Sequence, residues 1–444
     1  MATESIELPD IPANGDQFED YVAALFQCGG YFVQRGVTER DPTDVLELDA
    51  VVTDYDVQPP EALIVEAKSG TKWGYPDLFK VVGWLRYLHM SRGCFLVQTV
   101  PRRMDFAKRQ ARAAGLDVAL VHLEEPDLTA GFVAAGFSEA PTETALNVWR
   151  FSYLIERSLL TCIHEAKKNA PTQAGPRAIW DYYNLINNSL FFEPDDYERV
   201  TALYAAFGQH PKLALGVARE IGGGGFDCEA EDPKNPQIRD ALYRCAYPVL
   251  QACIYFEHRA RLAILKAVVD IVLLAPAPKV ILKAGDSGWT QLELLPVNIR
   301  QAVETLRAHP AVRHYPRFWQ VFLWGCGGFL LRDREDDEFR WLSTQTGVPV
   351  EEMGNALSAF DVCFPLNNGG SWLTDAYDSQ CRVVRMVPCV YQGLGVYHRM
   401  AEWGMGTVAD FGYTDYTQAD LLKWQNAAFN VMKQYSGLPV TPKP

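Results

Sequence analysis

Cations are in short supply along this chain. Its 444 residues carry 41 Lys and Arg against 55 Asp and Glu, a formal net charge of −14. A surface of that sign repels polyphosphate, so contact with nucleic acid has to come from a local basic patch, from bound metal ions or from a partner that delivers the substrate. Paired cysteines are missing as well. Ten cysteines are scattered without a Cys-x-x-Cys pair and eight histidines are equally dispersed, which argues against a zinc site and a secreted disulfide framework. Reduced thiols in a cytoplasmic protein are the expectation. Long apolar runs are absent: the longest, residues 261–275, contains Lys266 and Asp270 and falls short of the ~20 apolar residues of a membrane span. The N-terminal stretch MATESIELPD is acidic and polar, unlike a secretory leader. Gly222 to Gly225 lack the Gly-Lys-Ser/Thr ending of a phosphate loop and read as a linker. Neither fixed-period repeats nor low-complexity tracts occur.

What is present is an ordinary globular composition, 48% apolar and 22% charged, at a length that suggests two or three domains. The stretch that organises the first of them is ALIVEAKSG, residues 62–70. Its apolar half predicts a buried strand, and alternation puts Ile64, Glu66 and Lys68 on one face, Leu63, Val65 and Ala67 on the other. A carboxylate and an ammonium thus share one face of a core-type strand, where charges are rarely tolerated unless paired or used. Upstream, VLELDAVVT at 45–53 predicts a second strand with Asp49 in its middle, on the same face as Glu47 and Val51. Further back, residues 16–28 have helical periodicity, with Phe18, Tyr21, Val22, Leu25 and Phe26 as the apolar stripe and Glu19 in the first turn.

An acid on a helix, an acid on a strand and Glu-x-Lys on the next strand resemble the PD-(D/E)XK nucleases, the restriction-endonuclease-like superfamily, and most closely its Mrr-type branch. The matching residues are Glu19, Asp49, Glu66 and Lys68. The expected element order (helix, three strands with the first at 30–37, helix, strand) also agrees, over roughly the first 125 residues. Two features depart from the family pattern. Leu48 stands where the family name has proline, and the following helix holds no Gln-x-x-x-Tyr motif.

The resemblance implies in-line, metal-dependent hydrolysis of phosphodiesters, usually leaving a 5′-phosphate. Asp49, Glu66 and the Ala67 carbonyl would hold Mg²⁺ or Mn²⁺ through hard oxygens. Lys68 would orient the attacking water and offset charge developing on phosphate. Glu19 would hold a metal-bound water or a second metal. Weaker substrate contacts are read at Lys72 and at the basic segment with Arg102, Arg103 and Arg109. The alternative for that segment is a solvated helix face in which Asp105 pairs with Arg109. For Glu66 and Lys68 the alternative is an ordinary same-face strand pair.

The expected architecture is therefore an α/β restriction-endonuclease-like domain at 1–125, a mixed sheet flanked by helices. A mostly α-helical (α+β) region follows at 126–444, with a further division expected near 276–330. Helices are read at 147–168, 176–191, 194–209, 237–275 (divided at Pro248), 316–331, 335–347, 349–360 and 417–435. A small hairpin is read at 279–284 and 289–295, and strands within 381–396. That region would serve as a sensor, oligomerisation or partner-docking module. The functional expectation is a Mg²⁺-dependent endonuclease, with DNA favoured over RNA as substrate. It would be the effector of a bacterial anti-phage or restriction system, switched by a protein partner or by homo-oligomerisation, without a membrane. The rival readings are a catalytically silent nuclease-fold scaffold and a ligand-sensing interaction protein.

Overall fold

The structure, a computed structural model, describes residues 15–40, 44–70, 72–98, 109, 117–123, 129–138, 143–169, 174–221, 248–274, 280–281, 289–325 and 335–364, and four two-residue strands between 372 and 386. These divide into two compact units, the chain passing from one to the other between Leu154 and Ile155.

The N-terminal unit is built on a five-stranded mixed sheet. Helix α1 (Gly15–Cys28) is followed by β1 (Phe32–Arg40), β2 (Asp44–Asp54) and β3 (Glu61–Lys68), then α2 (Tyr75–Tyr87), β4 (Arg92–Val97) and β5 (Asp117–His122). Strand order follows chain order. The short connections at β1–β2 and β2–β3 make those pairs antiparallel, whereas the crossover through α2 brings β4 back parallel to β3, as a connection of that length requires. β5 is also parallel to β4. Glycine at position 93 makes room for α2: a Cβ there would stand 3.2 Å from both Leu85 and Val81. Since Gly93 pairs with Ile64, the sheet face of Ile64, Glu66 and Lys68 is the one α2 covers.

β1 runs to Arg40, three residues past the expected end at 37. Thr38 is buried and the Tyr87 hydroxyl donates to Glu39 at 2.9 Å, contacts from outside the segment that outweigh its turn-prone composition. Helix α3 (Ala130–Ala134) closes over α1, Phe132 and Phe137 meeting Phe26 at ring distances of 5.0 and 5.1 Å. Tyr153, on helix α4 (Glu143–Asn169), donates to Gln27 at 3.2 Å and lies under the Arg35 guanidinium, which is itself ion-paired with Asp20.

The C-terminal unit is mainly helical. After α4 come α5 (Ala174–Asn187), α6 (Asp196–Ile221), α7 (Pro248–Leu273), the hairpin β6 (Val280–Ile281) and β7 (Trp289–Thr290), then α8 (Gln291–Leu294), α9 (Val297–Leu306), α10 (Tyr315–Gly325), α11 (Glu335–Thr346) and α12 (Met353–Cys363). Pro248 opens α7, a position where its missing N–H costs nothing. α6 extends past the expected end at 209 and through Pro211. The expected strand at 289–295 stops at Thr290 because Thr290 caps a helical turn: its backbone N–H donates to Glu293 at 2.6 Å, and the Glu293 N–H donates to its hydroxyl at 3.3 Å. Two antiparallel strand pairs, Trp372–Leu373 with Arg385–Met386 and Tyr377–Asp378 with Cys381–Arg382, lie beyond α12. The helix expected at 417–435 and residues 237–247 fall outside the described residues. Among the described residues no helix is long and apolar enough to cross a membrane.

α7 is the core of this unit, with Tyr255, Phe256, Ile264, Leu265 and Val268 fully buried. It also carries charge inward. Arg261 is wholly buried and ion-paired with Glu257 one turn earlier. Its guanidinium lies 4.7 Å from the ring centres of both Phe207 and Phe364. His210 contacts the Cys253 carbonyl at 2.6 Å and Glu257 at 3.9 Å. Burial pushes the His210 imidazole below its ordinary value, so it is held neutral.

Candidate active site

β2 and β3 part beside the charged residues of the two strands. Their ladder ends at Ala50 paired with Val65. One residue on, Asp49 sends its carboxylate across the gap, and Oδ2 accepts the Ala67 N–H at 2.8 Å. A side chain thus replaces the next rung. On the other side of β2, Asp49 stands opposite Gly36, which adopts a left-handed φ of +56°. That backbone conformation is cheap only for glycine, which is what stands there.

Glu66 is 1% exposed. Its Oε1 takes the Lys68 ammonium at 2.6 Å, with Lys80 of α2 further off at 3.9 Å. Its Oε2 is buried with no hydrogen-bond partner among the described residues. Burial, then the charges of Glu66 and Glu19, push Asp49 up to about 8, against smaller opposing contributions from the Ala67 N–H and Lys68. For Lys68, burial acts to lower its affinity for the proton, but the hydrogen bond and charge of Glu66, aided by Asp49 and Asp77, carry the net shift upward. The site is therefore a pair of largely buried carboxyl groups, of which Asp49 keeps its proton, capped by one partly exposed lysine.

Asp49 with Ala67, and Glu66 with Lys68, are thus brought together on adjoining strands, whereas Glu19 is felt only through its charge at Asp49. Lys72 is exposed and forms no part of this cluster. Arg109 is exposed and helical, whereas Arg102 and Arg103 lie outside the described residues. Glu47, on the same face as Asp49, is solvated. Sequence reasoning missed Lys80, Asp77 and Gly36. Lys80 lies over the Trp84 ring at 4.2 Å, and their i,i+4 spacing was readable. Its approach to Glu66 depends on how the crossover helix packs and was not. Asp77 accepts the Gly74 N–H at 2.8 Å and so fixes the start of α2.

The donor set fits a magnesium-type ion. Burial, together with the charge of Glu66, keeps Asp49 protonated, Glu66 has one unpartnered buried oxygen, and a divalent cation would offset both the burial and the repulsion. Among the described residues no group of three or more His, Cys, Asp or Glu is disposed to hold a metal. The available protein ligands are then Asp49, Glu66 and the Ala67 carbonyl, the sparse set on which Mg²⁺ keeps several waters. Comparisons with protein-family models, with curated proteins and with solved structures each found no match.

The raised Asp49 value has a measurable consequence in chelator. An unfolded Asp loses its proton near 4, whereas Asp49 in the fold keeps it to about 8. Its contribution to stability is full below the lower value and is lost as pH rises through the higher one, because over that window the unfolded chain gives up a proton the folded chain retains. The melting temperature of the N-terminal unit in EDTA is expected to fall between about pH 5 and pH 8, and Asp49→Asn is expected to flatten the fall. An equal slope in the variant would assign the titration to another group.

Proposed function

We propose that this chain is a Mg²⁺- or Mn²⁺-dependent nuclease that hydrolyses phosphodiester bonds, with DNA its substrate and the N-terminal sheet a PD-(D/E)XK domain of the Mrr type. The observation that carries the reading is the fork between β2 and β3. There a buried Glu66 with one unpartnered oxygen lies beside an Asp49 that keeps its proton, and Lys68 rests on the same carboxylate. An idle strand pair has no reason to bury two mutually repelling carboxylates at an opening in a sheet.

The bound metal would polarise a phosphoryl oxygen and acidify a water at Asp49 and Glu66. Lys68 is the chain's own contribution to the reacting phosphate. It is held 2.6 Å from Glu66 and remains 29% exposed at the side chain, so its ammonium can reach a phosphate at the mouth of the site while Glu66 fixes its position. Glu19 adds negative charge at Asp49 and so favours cation over anion there. The helical unit, with its own buried core, is the part that would answer an activating signal, as expected of a defence effector controlled by a partner or by self-assembly.

The experiment is cleavage of plasmid, single-stranded DNA and RNA in Mg²⁺ or Mn²⁺, by wild type and by Asp49→Asn. Metal-dependent cleavage that the variant loses supports the reading and names the substrate. Cleavage equal in the variant moves the activity elsewhere. One observation favours a silent scaffold instead: Lys68 already neutralises one Glu66 oxygen at 2.6 Å. Calorimetry showing no Mn²⁺ binding that depends on Asp49 would select it.

A further inference from the structure

The outward face of α2 lies beside the acidic fork and is aromatic. Leu78, Val81, Trp84 and Leu85 turn into the sheet. The opposite arc exposes Phe79 at 53% and Tyr87 at 54%, with Tyr75 at 37%. Partly exposed rings gathered along one helix face are more informative than apolar residues scattered singly; the Tyr87 hydroxyl is bonded to Glu39, which leaves Phe79 as the open ring. The next residue after Phe79 is Lys80, which leans the other way: its ammonium stands 3.9 Å from Glu66 and over Trp84 at 4.2 Å. Exposed Lys72 precedes the helix and exposed Arg86 ends it. The one acid within the helix, Asp77, accepts the Gly74 N–H.

We propose that single-stranded nucleic acid crosses α2, one base stacked on Phe79 and a phosphate of the same strand reaching Lys80 on the side of the helix nearer Glu66. The inference deepens the nuclease reading and rests on it for making the strand a substrate. Stacking on a protein ring needs a base whose face is uncovered, which a duplex does not offer and a single strand does. Stacking is also insensitive to charge, so it supplies affinity that a protein of net charge −14 cannot draw from long-range attraction. The flanking cations fit a polyanion better than an apolar protein partner.

The test is fluorescence anisotropy of the full chain with a labelled oligothymidylate of about twenty nucleotides, a span sufficient for such a site, and with a hairpin duplex of the same length, in EDTA so that cleavage does not intervene. Wild type is expected to prefer the single strand. Phe79→Ala is expected to weaken strand binding on the order of ten-fold while leaving duplex binding nearly unchanged, and Phe79→Trp to retain it. Lys80→Met is expected to lower the slope of log affinity against log salt by about 0.7, the value for one phosphate contact on a single strand. Because Phe79 is outside the core, an unchanged melting temperature verifies that the variant folds. Strand binding unaltered by Phe79→Ala, strand and duplex weakened equally, no strand binding by wild type, or loss of self-association alone in the variant would each overturn the proposal. If cleavage requires Lys68 yet strand binding ignores Phe79, the surface falls and the nuclease stands. If strand binding follows Phe79 yet no condition yields metal-dependent cleavage, the nuclease falls and the surface stands.

Discussion

Alanine at position 68 is expected to slow single-turnover phosphodiester cleavage by about two to three orders of magnitude at saturating metal, the usual cost of removing one preorganised donor to developing charge. Lys68 is the ammonium nearest the buried carboxylate, 2.6 Å from Glu66 against 3.9 Å for Lys80, so Lys80 is too distant to take its place without rearrangement. The same substitution removes a charge that draws Asp49 downward, so the carboxyl should hold its proton more tightly and the pH–rate profile should shift towards alkali. A profile left where it is would mean that the Lys68 charge is not felt at Asp49. Arginine is not expected to rescue the rate, because its planar fork suits neither the confined position on Glu66 nor a point-charge role. A rate within about three-fold of wild type would remove Lys68 from the chemistry, since so small a change is under 1 kcal/mol of barrier.

Removing Glu257 should have the largest effect on stability. It leaves the wholly buried Arg261 without its only carboxylate among the described contacts, and stripping one member from a buried ion pair typically costs about 3–5 kcal/mol. The two rings at 4.7 Å soften the loss but accept no hydrogen bond of carboxylate strength. Chemical denaturation of the helical unit by Glu257→Ala should show that deficit. The double substitution Glu257→Leu with Arg261→Met should recover most of it, because the buried charge is then absent as well. A single variant within about 1 kcal/mol of wild type would mean that the pair contributes little and that relaxation or water hydrates the guanidinium.

The strands were readable wherever burial imposed an apolar run. Residues 45–53 and 62–68 were legible as β2 and β3 because each is a short, largely apolar run of strand length, and the face shared by Glu66 and Lys68 follows from the two-residue period of any strand. Their distance was not readable, nor was the gap that brings Asp49 to the Ala67 N–H, since both depend on where one ladder stops. Lys80 stayed hidden for a related reason: nothing local says that a helix residue fourteen positions after Glu66 returns to it. In the helical unit the 3.6-residue period identified most elements. The turn after β7 was missed although Thr-Gln-Leu-Glu at 290–293 is the capping pattern; the apolar residues around it read more readily as strand. Buried Arg261 was not singled out, because the contacts that hold it, Phe207 and Phe364, are far from it in sequence.

The cage around that arginine also sets an order of events during synthesis. Phe207 and Glu257 leave the ribosome close to Arg261, but Phe364 follows only about a hundred residues later. At roughly 5–20 residues per second, the half-made chain carries an uncovered aromatic groove and a partly sheltered cation for several seconds or more. During that interval the arginine's cage is incomplete, while all five strands of the N-terminal sheet have already been synthesised.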